Sequence, residues 1–168
     1  INKNALNKLP GDMYVFEAEV EDDFKEYLYP VDYTLKLKKG TQVMFIKNDY
    51  SGERRYFNGK IGIVSDLSSD KIVVKFNDGT PSTEVEKYTW ENKRYTLDKE
   101  KNEITEHIKG TFTHYPIKLA WAITVHKSQG LTFEKAVIDV SGAFAPGQIY
   151  VALSRLVSLD GLILTARL

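Results

Sequence analysis

The chain reads as an α/β protein with a small β-barrel set into it, and three observations lead there. Short β-rich segments with Asn-Gly and Asp-Gly turns recur between Lys39 and Gly110, at the spacing of about ten residues that marks a sandwich or barrel. After Thr111 the pattern switches to alternating helix and strand, the signature of a parallel sheet with helices packed on it. The 168 residues, 42% of them hydrophobic, suffice for one sizeable core or two small ones sharing a boundary.

The elements follow in order. Ile1, Ala5, Leu6 and Leu9 are spaced for one helix face, which Pro10-Gly11 terminates. Met13, Val15, Ala18 and Val20 alternate with polar residues and predict a strand over 13–20. The acidic run 19–23 reads as a solvated loop or a helix start, and Lys38-Lys39-Gly40 as a turn. Strands are then expected at 42–47, 60–65, 71–77, 84–90 and 93–97, broken by Asn48-Asp49, Asn58-Gly59, Ser68-Ser69-Asp70, Asn77-Asp78-Gly79 and Asn92. The mixed-charge stretch 98–109 reads as a flexible connection. Residues 116–121 form a strand or the start of a helix, 133–140 a strand, 146–155 a helix and 161–165 a final strand. The predicted organisation is an α/β domain begun by residues 1–38 and completed by 111–168, with the barrel at 39–110 between its two parts.

Lys and Arg number 23 and Asp and Glu 23, so no global basic field announces nucleic acid and such contacts must come from local patches. The absence of cysteine excludes disulfides and thiolate metal sites and fits a reducing, cytoplasmic setting. No apolar run approaches the roughly eighteen residues of a membrane span, so no membrane partner is expected. The chain opens on Ile1 inside a helical pattern, as expected of a piece of a longer protein.

Two segments carry chemistry. Residues 119–131 read LAWAITVHKSQGL. A short helix over 120–129 capped by Gly130 would put Thr124 and Ser128 at i, i+4 with Lys127 beside them. Two hydroxyls and an ammonium can hold successive backbone phosphates without reading bases, and His126 could add a phosphate or sugar contact. The bland alternative is a structural His126 and a merely solvated Lys127. Residues 147–155 read GQIYVALSR. Arg155 is either an arginine finger, a planar cation stabilising charge on a transferring phosphoryl group, or a helix-end Arg satisfying the dipole. In the barrel, Lys47, Arg54, Arg55 and Lys60 interleave with Tyr50, Tyr56 and Phe57 around Asn58-Gly59. That mixture suits a nucleic-acid strand, and equally describes an exposed hairpin. No GxxxxGK[ST] phosphate loop and no acidic Mg²⁺-binding pair in strand context occurs in these residues.

HKSQG and GQIYVALSR, in this order, resemble the last two motifs of the superfamily 1 DNA helicases, above all those of the Pif family. Residues 39–62 are similar to the inserted barrel of Pif and RecD-like helicases, whose fold is Src-homology-like. The resemblance implies a RecA-like second motor domain that moves 5′-to-3′ on single-stranded DNA, with ATP and Mg²⁺ bound in the full-length enzyme. Its partner would be an N-terminal motor domain of the same polypeptide, without which the isolated chain would not hydrolyse ATP. The resemblance places Thr124, His126, Lys127 and Ser128 on DNA, and Gln129, Gly130 and Arg155 at the nucleotide. Asn58 and Lys60 become DNA contacts on the barrel, Gln148 belongs to the final motif, and Tyr150 packs. Many relatives outside the Pif branch carry a ribose-contacting Glu two residues after the motif glycine, where this chain has Thr132, with Glu134 further on. Two other readings compete: a non-enzymatic barrel binding nucleic acid or peptide, and a RecD-like or relaxase-associated helicase.

Overall fold

The computed structural model describes residues 1–98, 103–142 and 146–166. It divides into two compact units, Ile1–Trp121 and Ala122–Leu168. The first contains helix α1 (Asn2–Lys8) and strands β1 (Tyr14–Glu17), β2 (Glu19–Asp22), β3 (Thr34–Leu37), β4 (Gln42–Phe45), β5 (Ile61–Leu67), β6 (Ile72–Lys75), β7 (Thr83–Glu84), β8 (Tyr88–Asp98), β9 (Glu103–His114) and β10 (Ile117–Leu119). Among the described residues these form a two-stranded sheet β1-β3, a five-stranded sheet ordered β10-β4-β5-β6-β7 and a three-stranded sheet ordered β2-β9-β8. Every pairing in this unit is antiparallel.

β5 and β6 alternate buried and half-buried residues, while β4 buries the consecutive Val43, Met44 and Phe45. Leu37, Val43, Phe45, Val64, Ile72, Val74 and Ile117 are all within 1% of complete burial and form one cluster with Tyr56 and Tyr115. Phe45 stacks on Tyr56 with ring centroids 4.0 Å apart. A second cluster, Ala18, Phe24, Val31 and Phe112, holds the three-stranded sheet, with Trp90 packed against it. Glycine is required where β2 crosses β9: a Cβ on Gly110 would lie 2.6 Å from the Asp23 carbonyl carbon. The register of β8 against β9 shifts at the same place, between Asn92 and Lys93, so a bulge lets the long hairpin bend.

Several expectations are corrected. The strand predicted over 13–20 is two strands in different sheets: the β1–β3 ladder ends with the Ala18 N–H donating to the Tyr33 carbonyl at 2.9 Å, and Glu19–Asp22 pair instead with β9. The acidic run is mostly strand β2, and β3 had no distinct sequence signal. Asn92 is no turn; it lies inside the eleven-residue β8. Residues 103–109 of the supposed flexible connection belong to β9, while 99–102 lie outside the described residues. The predicted strand 84–90 is divided between β7 and β8, which belong to separate sheets, and no closed barrel is found among the described residues.

The second unit holds a 3₁₀ turn (Val125–Ser128), β11 (Ala136–Ile138), α2 (Pro146–Leu153), a further 3₁₀ turn (Leu159–Gly161) and β12 (Leu162–Leu164). β11 and β12 pair in parallel, as the alternation after Thr111 predicted. No helix among the described residues is long and apolar enough to cross a membrane.

His114, at the end of β9, is fully buried, and neither ring nitrogen has a hydrogen-bond partner among the described residues. Burial lowers its pKa from 6.5 to about 4; the charge of Lys87 adds to the effect and that of Glu19 opposes it. The folded protein therefore keeps the ring neutral where the unfolded chain would protonate it. The stability this confers is complete above about pH 6.5 and is lost as pH falls toward 4, amounting to about 3 kcal/mol over the window. Urea midpoints measured at about pH 7 and pH 4.5 should differ accordingly, and His114→Phe should remove most of that difference. An unchanged pH slope in the variant would assign the acid sensitivity to other groups.

Candidate functional site

The segment around His126 is not the predicted α-helix. Ile123, Thr124 and Val125 are consecutive β-branched residues, which lose rotamer freedom in a helix. Thr124 stays extended at φ −76°, ψ 155° and caps only the short turn Val125–Ser128, its hydroxyl accepting the Lys127 N–H. The Thr124 carbonyl accepts the N–H groups of Lys127 and Ser128 at 2.9 and 3.1 Å, and Gly130, at φ +80°, lets the chain leave the turn. The expected exposed pair of hydroxyls is corrected on one side. Ser128 is buried and donates its hydroxyl to the Val125 carbonyl at 2.7 Å, so it holds the turn together. Thr124, His126, Lys127, Gln129 and Gly130 are exposed.

The turn is joined to the end of α2 through the backbone. Phe133 donates to the Arg155 carbonyl at 2.8 Å and accepts from Val157 at 3.0 Å, forming a parallel bridge between Phe133 and Leu156. Gly130 thus lies three residues before Phe133, which bonds directly to the Arg155 backbone. α2 packs on the turn with Ala152 buried. A shallow cavity of about 270 Å³ lies between them, lined by Val125, Ile138, Asp139, Ser141, Gln148 and Ile149. Glycine is obligatory at 161, where a Cβ would meet the Glu134 carbonyl oxygen at 1.9 Å.

Arg155 lies two residues beyond the end of α2 and is half-buried. Its Nε donates to the Val151 carbonyl at 3.2 Å and an Nη to the Ser154 hydroxyl at 3.0 Å. No carboxylate pairs with it among the described residues, so its charge is left uncompensated and donors of its planar fork remain. Such a group fits an anionic phosphoryl oxygen. Tyr150, expected to pack, is 74% exposed. Thr132 and Glu134 are exposed. Sequence reasoning missed Asp139, whose Oδ1 accepts from the Ser141 N–H at 3.0 Å, its hydroxyl at 2.6 Å and the Thr165 hydroxyl at 3.0 Å. The Ser141 contacts, then Thr165, hold its carboxyl below the usual range. The Asp-Val-Ser sequence after a strand was the available signal, an Asx-type turn.

The other predicted contacts, Asn58 and Lys60, belong to the first unit. Asn58 is exposed and donates its N–H to the Asn48 side chain at 2.8 Å. The expectation of an exposed Lys60 is corrected. Its ammonium lies 3.1 Å from Asp78, donates to the Thr80 hydroxyl at 2.7 Å and sits 4.1 Å above the Phe76 ring. Hydrogen bonds from Thr80, then Lys60, lower the Asp78 pKa to about 2. Arg55 is likewise engaged, its Nε 2.8 Å from the buried Asp49, whose carboxyl it holds well below the usual carboxylate range. Within the predicted basic cluster only Lys47 and Arg54 lack a carboxylate partner among the described residues.

No family model matches the chain. It is 32% identical, across 92% of its length, to the ATP-dependent DNA helicase Pif1 of Campylobacter jejuni, of which it spans 37%. The unliganded structure of Pif1 from Bacteroides sp superposes on 99% of it with a TM-score of 0.85 at 42% identity, covering 38% of that chain. The chain belongs to the Pif family. A further Bacteroides Pif1 helicase structure, in complex with ADP-AlF3 and ssDNA, matches this Pif-family chain with a TM-score of 0.79 at 42% identity, over 99% of this chain and 37% of that one. The chain therefore corresponds to well under half the length of the Pif1 proteins it matches.

Proposed function

We propose that this chain is the second motor part of an ATP-dependent DNA helicase, RecA-like in fold with a Src-homology-like insert at residues 39–110, acting 5′-to-3′ on single-stranded DNA. One observation carries the reading: the chain leaving the Gly130 end of HKSQG bonds, at Phe133, to the backbone of Arg155 in GQIYVALSR, a cation with no carboxylate partner among the described residues. The Bacteroides relative bound to ADP-AlF3 and ssDNA supports both ligands. On this reading Gln129, Gly130 and Arg155 face the nucleotide. The exposed Thr124, His126 and Lys127 face the DNA backbone, with Ser128 shaping the turn that presents them. Lys60 acts by ordering the Asn58-Gly59 loop, and Asn58 is the exposed member of that pair.

The phosphate loop and Mg²⁺ ligands belong to the first motor domain, the partner across whose cleft Arg155 is offered. Mg²⁺ there would neutralise charge on the β- and γ-phosphates. Closure on ATP moves the face carrying Thr124 and His126 relative to the first domain, and hydrolysis releases it.

The test compares ATP hydrolysis with and without single-stranded DNA in the protein carrying this chain. Thr124→Ala combined with His126→Ala should lower the DNA-stimulated rate about tenfold or more, the loss expected from two polar contacts of about 1 kcal/mol each. The basal rate should change little. Equal losses in both rates would remove these residues from the DNA face and point to a damaged turn.

A further inference from the structure

The loop joining β4 to β5 has features that neither the motor reading nor the core requires. Tyr50 is 75% exposed and Phe57 56% exposed, although both stand in a loop braced by several hydrogen bonds. Its neck is closed by the Asp49 N–H donating to the Tyr56 carbonyl at 3.0 Å and the Asn58 N–H donating to the Asn48 side chain at 2.8 Å. Inside the neck the buried Asp49 carboxylate accepts from the N–H groups of Ser51 and Arg55, each at 3.0 Å, and from the Arg55 guanidinium. Tyr56 turns inward onto Phe45, and the next residue, Phe57, is left outside. The backbone takes left-handed geometry at Gly52 (φ 92°) and at Arg54 (φ 50°), a strained setting for a residue with a side chain.

Rings held out by a rigid loop have lost their freedom before any ligand arrives, which lowers the entropic cost of binding. Their surroundings favour an anion. Lys47 lies 4.2 Å above the Tyr88 ring and 5.9 Å from that of Tyr50, and Lys60 lies 5.8 Å from that of Phe57. Lys47 and Arg54 have no carboxylate partner among the described residues, while the nearby exposed Glu53 pairs with Arg55. Exposed aromatic faces beside two cations without a carboxylate partner among the described residues, Lys47 and Arg54, fit a polyanion that itself carries π-faces.

We propose that Tyr50 and Phe57 form a base-stacking platform for single-stranded nucleic acid, with Lys47 and Arg54 receiving its phosphates. This rests on the functional reading above and adds a second contact region, on the first unit, that grips bases as well as backbone. It is independent of sequence, because every base has a face to stack.

The test uses the protein carrying this chain and two labelled strands of equal length, one with bases and one wholly abasic. Tyr50→Ala with Phe57→Ala should weaken binding of the normal strand roughly five- to a hundredfold and leave the abasic strand unaffected. The salt slope should stay the same, since no phosphate contact is removed. Tyr50→Phe should bind as the parent, and unchanged melting temperatures should show that the exposed rings do not hold the fold. Equal weakening on both strands, or none, would overturn the platform. If Thr124→Ala with His126→Ala weakens binding while the ring variants do not, the motor reading stands and the platform falls. A parent protein that binds neither strand would sink both.

Discussion

Arg155→Ala should lower ATP hydrolysis by the protein carrying this chain roughly a thousandfold or more while leaving DNA affinity nearly intact, the range seen when an arginine finger is removed. The geometry makes this a sharp test, because Arg155 has a second occupation. Its contacts to Val151 and Ser154 satisfy the end of α2, where a cation is worth about 0.3–1 kcal/mol through the helix dipole. If that were its whole role, the variant would melt slightly earlier and hydrolyse ATP normally. Arg155→Lys separates the two further: an ammonium still satisfies the dipole but lacks the planar fork that holds two phosphate oxygens. Stability should then recover while the hydrolysis rate does not. Measuring turnover and melting on the same preparations decides between them, and near-normal turnover in the alanine variant would end the finger assignment.

Phe45→Ala should destabilise the first unit by about 3–5 kcal/mol, the cost of emptying a large aromatic site in a packed core. Phe45 is fully buried, stacks on Tyr56 and contacts Phe76. Its backbone N–H donates to the Lys60 carbonyl at 3.0 Å, and its carbonyl accepts from Gly59 at 2.7 Å. Losing the ring therefore loosens the loop that carries Tyr50 and Phe57 as well as the sheet beneath it. A domain is commonly stable by only 5–15 kcal/mol, so urea unfolding followed by tryptophan fluorescence should show a large shift of the midpoint. Phe57→Ala is the internal control: at 56% exposure it should move stability by about half a kcal/mol or less. Equal losses in the two variants would contradict the buried and exposed assignments.

The local order of strands, turns and motifs was written in the amino acids. α1, the Lys38–Gly40 turn, β4 to β6, α2 and β12 follow from periodicities and turn residues that act within a few positions of themselves. HKSQG and GQIYVALSR were likewise legible, since a motif is a string. Sheet membership was not. Strands β1 and β2 are one alternating run by pattern, and they enter different sheets because the first pairs with β3, up to the Ala18–Tyr33 bond, and the second with β9, some ninety positions away. The β8–β9 hairpin read as two short strands and a linker because Asn92 looks like a turn, whereas pairing across the bulge satisfies its backbone as strand.

At the site, the sequence determined which side chains were available, and tertiary structure decided which were free. Three consecutive β-branched residues turned the expected helix into a single 3₁₀ turn, which buried the Ser128 hydroxyl and left Thr124, His126 and Lys127 outside. Lys60 looked like any exposed cation beside Asn-Gly until Asp78, Thr80 and Phe76 closed around its ammonium. The two motif segments are tied together only because Phe133 bonds across to Arg155, more than twenty positions away. A side chain's identity is local, but the partners that satisfy or expose it are brought by the folded backbone, and composition carries no record of them.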